Sequence, residues 1–246
     1  MDGDEETRAS GQVIHLDLAS TVDTALPIKV VMRGYLSTQH LYAARYAAED
    51  AQKLEDQYAG KEPFNMRHRG LVLSAVAESV MFLEAAINEM FQDAADGHHN
   101  RLIRLGEGPI MLMAALWEAT NSGHMKTLVK YESALRFCGH PPFPYGSAPY
   151  QDVKHLVDLR NYLVHYRPED LAEDRQPKIS GGLRGRFPDN RLMAGAANPW
   201  FPAHALGAGC AGWAWRSARA FVERFAQTTG VTFNFQIADV GDPLPS

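Results

Sequence analysis

The feature that most constrains this chain is an apolar stripe in residues 66–95, where Val72, Val76, Val80, Leu83, Ile87 and Met90 recur at helical spacing. Steps of three and four residues match the 3.6-residue turn, so these side chains share one face of a long helix. A helix so apolar along one side has to be covered by other elements.

The elements predicted around it are helices as well. Residues 35–57 set Leu36, Leu41, Tyr42, Ala44, Tyr46, Ala47, Ala48 and Leu54 against a polar side with Glu49, Asp50, Glu55 and Asp56, and Gly60 and Pro63 end the run. Further helices are expected at 109–120, with Pro109 at its favoured first position, and at 125–137. A loop rich in Pro, Gly and aromatics follows at 138–150, then a helix over 149–166 that Pro168 stops. From 169 to 202 the composition turns to Gly, Pro, Asp and Arg, too long for an ordinary connection and therefore either disordered or functional. A last helix, from 203 or 209 to 229, carries Trp213, Trp215, Ala218, Phe221, Val222 and Phe225 and should pack back on the bundle. Short strands are expected around Val13 to Leu18 and over 231–235. The chain thus divides into a tail at 1–33, a helical bundle at 34–168, a loop at 169–202 and a C-terminal helix and tail at 203–246. The fold class expected is all-α, a helical bundle with a long loop and a C-terminal helical extension.

Composition narrows the function classes. With 246 residues, 46% of them hydrophobic and 22% charged, the chain can bury a sizeable core. No unbroken apolar run approaches the ~20 residues that cross a bilayer, and Asp2, Asp4, Glu5 and Glu6 make the N-terminus acidic where a signal peptide is basic. A cytoplasmic protein without membrane partners is expected. Cys138 and Cys210 are too few for a disulfide framework and lack paired zinc spacing, so free thiols are expected. The net charge of -5 argues against a protein that coats nucleic acid. A local basic site remains open, because Arg175, Lys178, Arg184, Arg186 and Arg191 face only Asp189 within residues 175–191.

Immediately before that basic stretch stands Leu159-Arg160-Asn161-Tyr162-Leu163-Val164-His165. With 17 arginines and 10 histidines in the chain, an Arg five positions before a His arises by chance roughly 0.7 times, so spacing alone proves little. Arg8 with His15 and Arg33 with His40 fit a looser spacing, yet Ala9 and Gly34 follow those arginines. Only Arg160 has a polar neighbour and a sustained apolar helix around it. At about 100° per residue, Val153, Leu156, Val157, Leu163 and Val164 form one arc with Arg160 near its middle. An arginine there requires a carboxylate partner, a subunit interface or a cleft that receives an anion. Asn161 and His165 share the flank of that arc, and Arg160 lies roughly 140° around from His165. Glu84 and Asn88, four apart on the long apolar helix, are the candidates for orienting Arg160.

This pattern resembles the signature of the HEPN superfamily, whose RNase members bear an Arg, four to six intervening residues and a His, usually with a polar residue directly after the Arg. The resemblance covers about residues 68–168, including a core-helix segment at 82–89, and is sharp only over Arg160 to His165. It implies a dimer in which two motif helices face one cleft, and a metal-independent endoribonuclease acting on single-stranded RNA. In that reading two symmetry-related His165 imidazoles serve as base and acid, as imidazoles titrating near neutral pH can. Arg160 stabilises charge on the phosphorane oxygens, and Asn161 holds the phosphate or orients His165. Attack by the 2′-hydroxyl leaves a 2′,3′-cyclic phosphate, with Tyr166, Arg167, Arg184 and Arg186 expected to bind the strand. No cofactor or metal is expected. A toxin or defence role, with a protein antitoxin or regulator as partner, belongs to the same implication. One departure concerns regulation: family toxins silenced by adenylylation tend to carry a tyrosine two positions after the histidine, where this chain has Arg167, with Tyr166 one position earlier.

Other chemistries fit the sequence less well. His98, His99, His124, Cys138, His140 and His155 are metal ligands by type, but no spacing joins them into a set. Cys138 and His140 are too close in sequence to suggest a triad, and no Gly-x-Ser-x-Gly elbow exists. Two readings from other classes stand beside the nuclease: a non-catalytic HEPN-like dimeric module binding RNA, a nucleotide or a protein, and a structural bundle in which Arg160 and Glu84 are a buried pair.

Overall fold

The computed structural model describes residues 32–61, 64–120, 124–172 and 174–238; the strand expected around Val13 to Leu18 lies outside them. The described chain is all-helical: α1 (Ser37–Tyr58), α2 (Met66–Ala95), α3 (Glu107–Ala119), α4 (Thr127–Phe137), α5 (Tyr150–Val164), α6 (Ile179–Leu183), α7 (Ala208–Thr229) and α8 (Asn234–Ala238). A 3-10 turn at Arg191–Met193 and a π turn at Trp200–His204 lie between α6 and α7. No strand occurs among the described residues.

The stripe of α2 is the centre of the core. Val72, Val76, Leu83 and Ile87 are fully buried, and α1 and α7 pack against α2 and against each other. By length and composition α2 is apolar enough to cross a membrane, with mean hydropathy 1.7 over its best window, but half of that window is buried inside the bundle. α7 is part of the core, with Phe221, Val222 and Phe225 at 0% exposure. Tyr131 of α4 packs edge-on against Phe221 and Phe225 and donates its hydroxyl to the Leu83 carbonyl at 2.8 Å.

Three carboxylates knit these helices together. Glu89 of α2 accepts from the backbone N–H of Leu36 and Ser37, both at 2.8 Å, and from the Ser37 hydroxyl at 2.7 Å. It therefore caps α1, whose own N-cap residue, Leu36, has no side-chain acceptor. Asp93, 1% exposed, gathers Arg33, Tyr35 and Arg101. Glu55, on the side of α1 that its neighbours Asp50 and Asp56 marked as polar, is 2% exposed. It meets His68 at 3.0 Å and accepts from the backbone N–H of Arg191 at 3.0 Å and of Ala208 at 2.7 Å, so it caps α7. Close backbone approach also shapes the start of α7: a Cβ on Gly209 would stand 2.3 Å from the Pro188 carbonyl oxygen.

Four expectations are corrected. α3 begins at Glu107, so Pro109 is its third residue, still within the first turn where N–H groups have no helical partner. The motif helix ends at Val164, with His165 as its C-cap and Tyr166 beyond it. Residues 169–202 are largely built into the fold, because Leu183, Phe187, Leu192, Met193, Trp200 and Phe201 are buried. Residues 231–235 form no strand: Phe233 and Phe235 both enter the core, their rings stacked at 6.0 Å, and α8 starts between them.

Candidate functional site at the end of α5

α5 runs antiparallel to α2. Arg160 reaches Glu84 in mid-α2, Tyr162 packs on Phe201 at 5.3 Å, and the adjacent Pro202 carbonyl takes Arg69 from the first turn of α2 at 2.9 Å. Val153 and Leu156 of the expected arc, together with Leu159, are fully buried and dock α5, whereas Val164, expected in the same arc, is 62% exposed because the helix ends there. Arg160 then emerges at the seam between the two helices.

The acid expected beside Arg160 is Glu84, with Nη2 3.7 Å from Oε2. That is ion-pair distance without a hydrogen bond. Both side chains are partly open, at 29% and 46% exposure, so the pair is worth no more than about 1 kcal/mol. The Nε of Arg160 is shielded and has no acceptor among the described residues. A guanidinium carries five N–H donors, and Glu84 at 3.7 Å takes a hydrogen bond from none of them. The arginine is anchored by its stem and weakly held at its head, as an anion-binding arginine has to be.

Asn88, expected to orient Arg160, forms no hydrogen bond with it among the described residues. Its Oδ1 accepts from Lys130 Nζ at 2.6 Å. Lys130 is 1% exposed, lies 5.3 Å over the Trp117 ring, and has its ammonium pKa lowered by burial, opposed by the charge of Glu84. Glu84 thus stands between two cations, a local excess of one positive charge. Lys130 was missed in the sequence, although its spacing of four from buried Ala134 puts it on the inward face of α4.

Asn161 and His165 lie on the outer side of the same helix end, both exposed. The His165 N–H closes the last turn on the Asn161 carbonyl at 3.0 Å. No hydrogen bond joins the side chains of Arg160, Asn161 and His165 among the described residues. Beside them rings lead from core to surface: Phe201 is buried, Tyr162 packs on it, and exposed Tyr166 meets Tyr162 edge-on at 5.8 Å. Burial first, and then the nearby Glu169 carboxylate, push the Tyr162 hydroxyl up to about 12. Arg167 is exposed. Leu73, Met81 and Val164 add exposed apolar surface at 39%, 50% and 62%; Leu73 and Met81 fall within 80° of Glu84 on α2, and Val164 is one turn beyond Arg160 on α5.

The basic stretch is partly neutralised by acids from distant elements. Arg186 is ion-paired with Asp152 in the first turn of α5 and donates to the Gly182 carbonyl at 2.6 Å. Arg191 pairs with Glu55 and Asp56. Arg184 lies over the Trp200 ring at 4.7 Å, while Arg175 and Lys178 are exposed. Among the described residues neither Arg184 nor Arg186 forms a hydrogen bond or ion pair with Arg160 or His165. Among the described residues no group of three or more His, Cys, Asp or Glu side chains is placed to hold a metal ion. Cys138 and Cys210 are free thiols, both with pKa raised by burial, that of Cys210 to about 12.

The fold and this site define the protein as an all-α helical bundle with a half-buried arginine and an exposed histidine at one helix end. Compared with protein-family models, curated proteins and solved structures, the chain matches none.

Proposed function

We propose that this protein is a metal-independent endoribonuclease of HEPN type, cytoplasmic and dimeric, cleaving single-stranded RNA through Arg160 and His165. The observation that carries the reading is the state of Arg160: docked by its stem in the α2/α5 seam, held at 3.7 Å by a half-exposed Glu84, and five residues before an exposed histidine at the same helix end. A guanidinium so placed can take a phosphate from solvent without leaving a buried charge unpaired. The 2′-hydroxyl would lose its proton to one His165 imidazole, while the second protomer's imidazole protonates the departing 5′-oxygen. The products would be a 2′,3′-cyclic phosphate and a 5′-hydroxyl, with Arg160 offsetting the negative charge that builds on the phosphorane. Asn161 would hold a non-bridging oxygen, and exposed Tyr166 offers a face on which a base can stack.

The test is incubation of end-labelled single-stranded RNA in EDTA with wild type, His165→Ala and Arg160→Gln. Wild type should cut and leave cyclic phosphate ends, with each substitution slowing cleavage by about 10²–10⁴-fold. Absence of cutting by wild type across varied RNAs would overturn the nuclease. A specific observation then favours the second reading, a non-catalytic dimeric module: three basic residues of 175–191 are already engaged within the chain, while apolar surface stands open beside Arg160.

A further inference from the structure

At the other end of α5, some 13 residues before His165 and therefore roughly 20 Å along the helix axis, the fold leaves a second set of polar groups unused. A cleft of about 310 Å³ opens between the first turn of α5, residues 186–188 and the outer side of α7. Its apolar walls include Phe187 and Trp213, whose rings are 5.3 Å apart. Its polar lining includes Arg216, Ser217 and the Asp152–Arg186 ion pair.

Three features of this cleft are not accounted for by packing. Arg216 is exposed, lies over the Trp215 ring at 5.8 Å and has no carboxylate within ion-pair distance among the described residues, unlike Arg186 beside it. Its guanidinium folds back along its own helix over Gly212, where a Cβ would stand 2.9 Å from Nη1 and 3.0 Å from Nη2. Glycine weakens a helix interior, and here it is what lets the guanidinium lie at the rim of the cleft. The third feature is the Trp213 indole N–H, which is shielded and has no acceptor among the described residues. Trp117 and Trp200 give theirs to Gln92 and Asp189, both at 2.8 Å. A buried donor without an acceptor is uncommon and asks for an explanation.

The charges favour an anion. Asp152 and Arg186 cancel, Lys154 and Asp158 pair with each other on the exposed side of α5, and Arg216, which lies over the Trp215 ring at 5.8 Å, leaves one net positive charge at the edge of the cleft. We propose that this cleft binds a small organic anion built on a flat ring, with its oxyanion on Arg216 and Ser217 and its ring against Phe187 and Trp213. A nucleoside monophosphate and an aromatic carboxylate share this chemistry.

Calorimetric titration of the full chain with AMP, 2-naphthoate, adenosine and inorganic phosphate tests the proposal and separates the two sources. AMP or 2-naphthoate should bind, with adenosine and inorganic phosphate at least tenfold weaker, because neither carries both ring and oxyanion. Binding of AMP alone assigns a phosphorylated nucleoside, and binding of 2-naphthoate alone assigns an aromatic acid. Arg216→Gln should weaken the bound probe at least tenfold. Gly212→Ala keeps the charge but displaces the guanidinium, so it should weaken the probe while Tm stays level or rises. No binding of either probe, equal binding by Arg216→Gln, or a Gly212→Ala loss that tracks a fall in Tm would overturn the site. RNA cleavage is a separate readout, so this site and the nuclease can fail independently.

Discussion

Two ionic residues of this chain look alike in the sequence and behave oppositely in the fold. Glu55 sits in a run of acids yet is buried at 2% exposure and receives His68 and two backbone N–H groups. Burial by itself pushes its carboxyl up, but the bonds from His68, Ala208 and Arg191 outweigh that and hold it below the ordinary range. A carboxyl depressed in the folded state contributes stability that is full above its unfolded pKa of about 4.3 and is lost as pH falls through the lower folded value. Urea melts should therefore show Glu55→Ala losing about 3–5 kcal/mol at pH 7, with the gap to wild type narrowing below about pH 4. Arg160 is the contrasting case. Its half-exposed pair with Glu84 predicts that Arg160→Met changes stability by less than about 1 kcal/mol; a loss of several kcal/mol in the same melts would return Arg160 to a structural role.

At the scale of elements, two helices start on carboxylates lent by other helices. Glu89 supplies α1 with three hydrogen bonds, and Glu55 supplies the N–H of Ala208 at the start of α7. Neither Leu36 nor Gly207 can cap with its own side chain. Glu89→Ala should cost about 1–3 kcal/mol, and hydrogen exchange should quicken at residues 36–40 well before the middle of α1. Uniform loss of protection along α1 would instead mean that Glu89 acts through the Arg101 cluster. The six long helices were legible from spacing, α2 to the residue, because a 3.6-residue apolar period survives any packing partner, whereas the five-residue α6 and α8 are too short to show a period. The last residues of α5 were not. Its helix stops at Val164 rather than at Tyr166, before Pro168 can act, and His165 becomes a cap at the solvent edge.

For the whole molecule, the open question is what covers the apolar surface around the Arg160 seam. Leu73, Met81 and Val164 are more exposed there than core-helix positions usually are, and the proposed chemistry needs a second histidine from a second chain. Sedimentation should find a dimer, and Val164→Asp should dissociate it while leaving far-UV circular dichroism unchanged. A wild-type monomer at micromolar concentration would remove the paired-histidine mechanism, since one protomer presents a single His165 at this end of α5.

By itself the sequence determined the six long helices but not α6 or α8, that their apolar faces form one core, and that Arg160, Asn161 and His165 fall at one helix end. These are properties of period and order along the chain, so they need no knowledge of neighbours. It also pointed to Glu84 as the acid beside Arg160, because an arginine in an apolar arc demands one. Only the tertiary structure decided how the other charges are spent. Lys130 goes to Asn88, Arg186 to Asp152 and Arg191 to Glu55 and Asp56, across separations of 34 to 136 residues. Long charged side chains choose partners by where helices cross, and crossing geometry is set by the packing of whole faces rather than by any local pattern. That is why a run of basic residues that read as an open strand-binding surface is, in the folded protein, partly the glue between α1, α5 and the segment leading to α7.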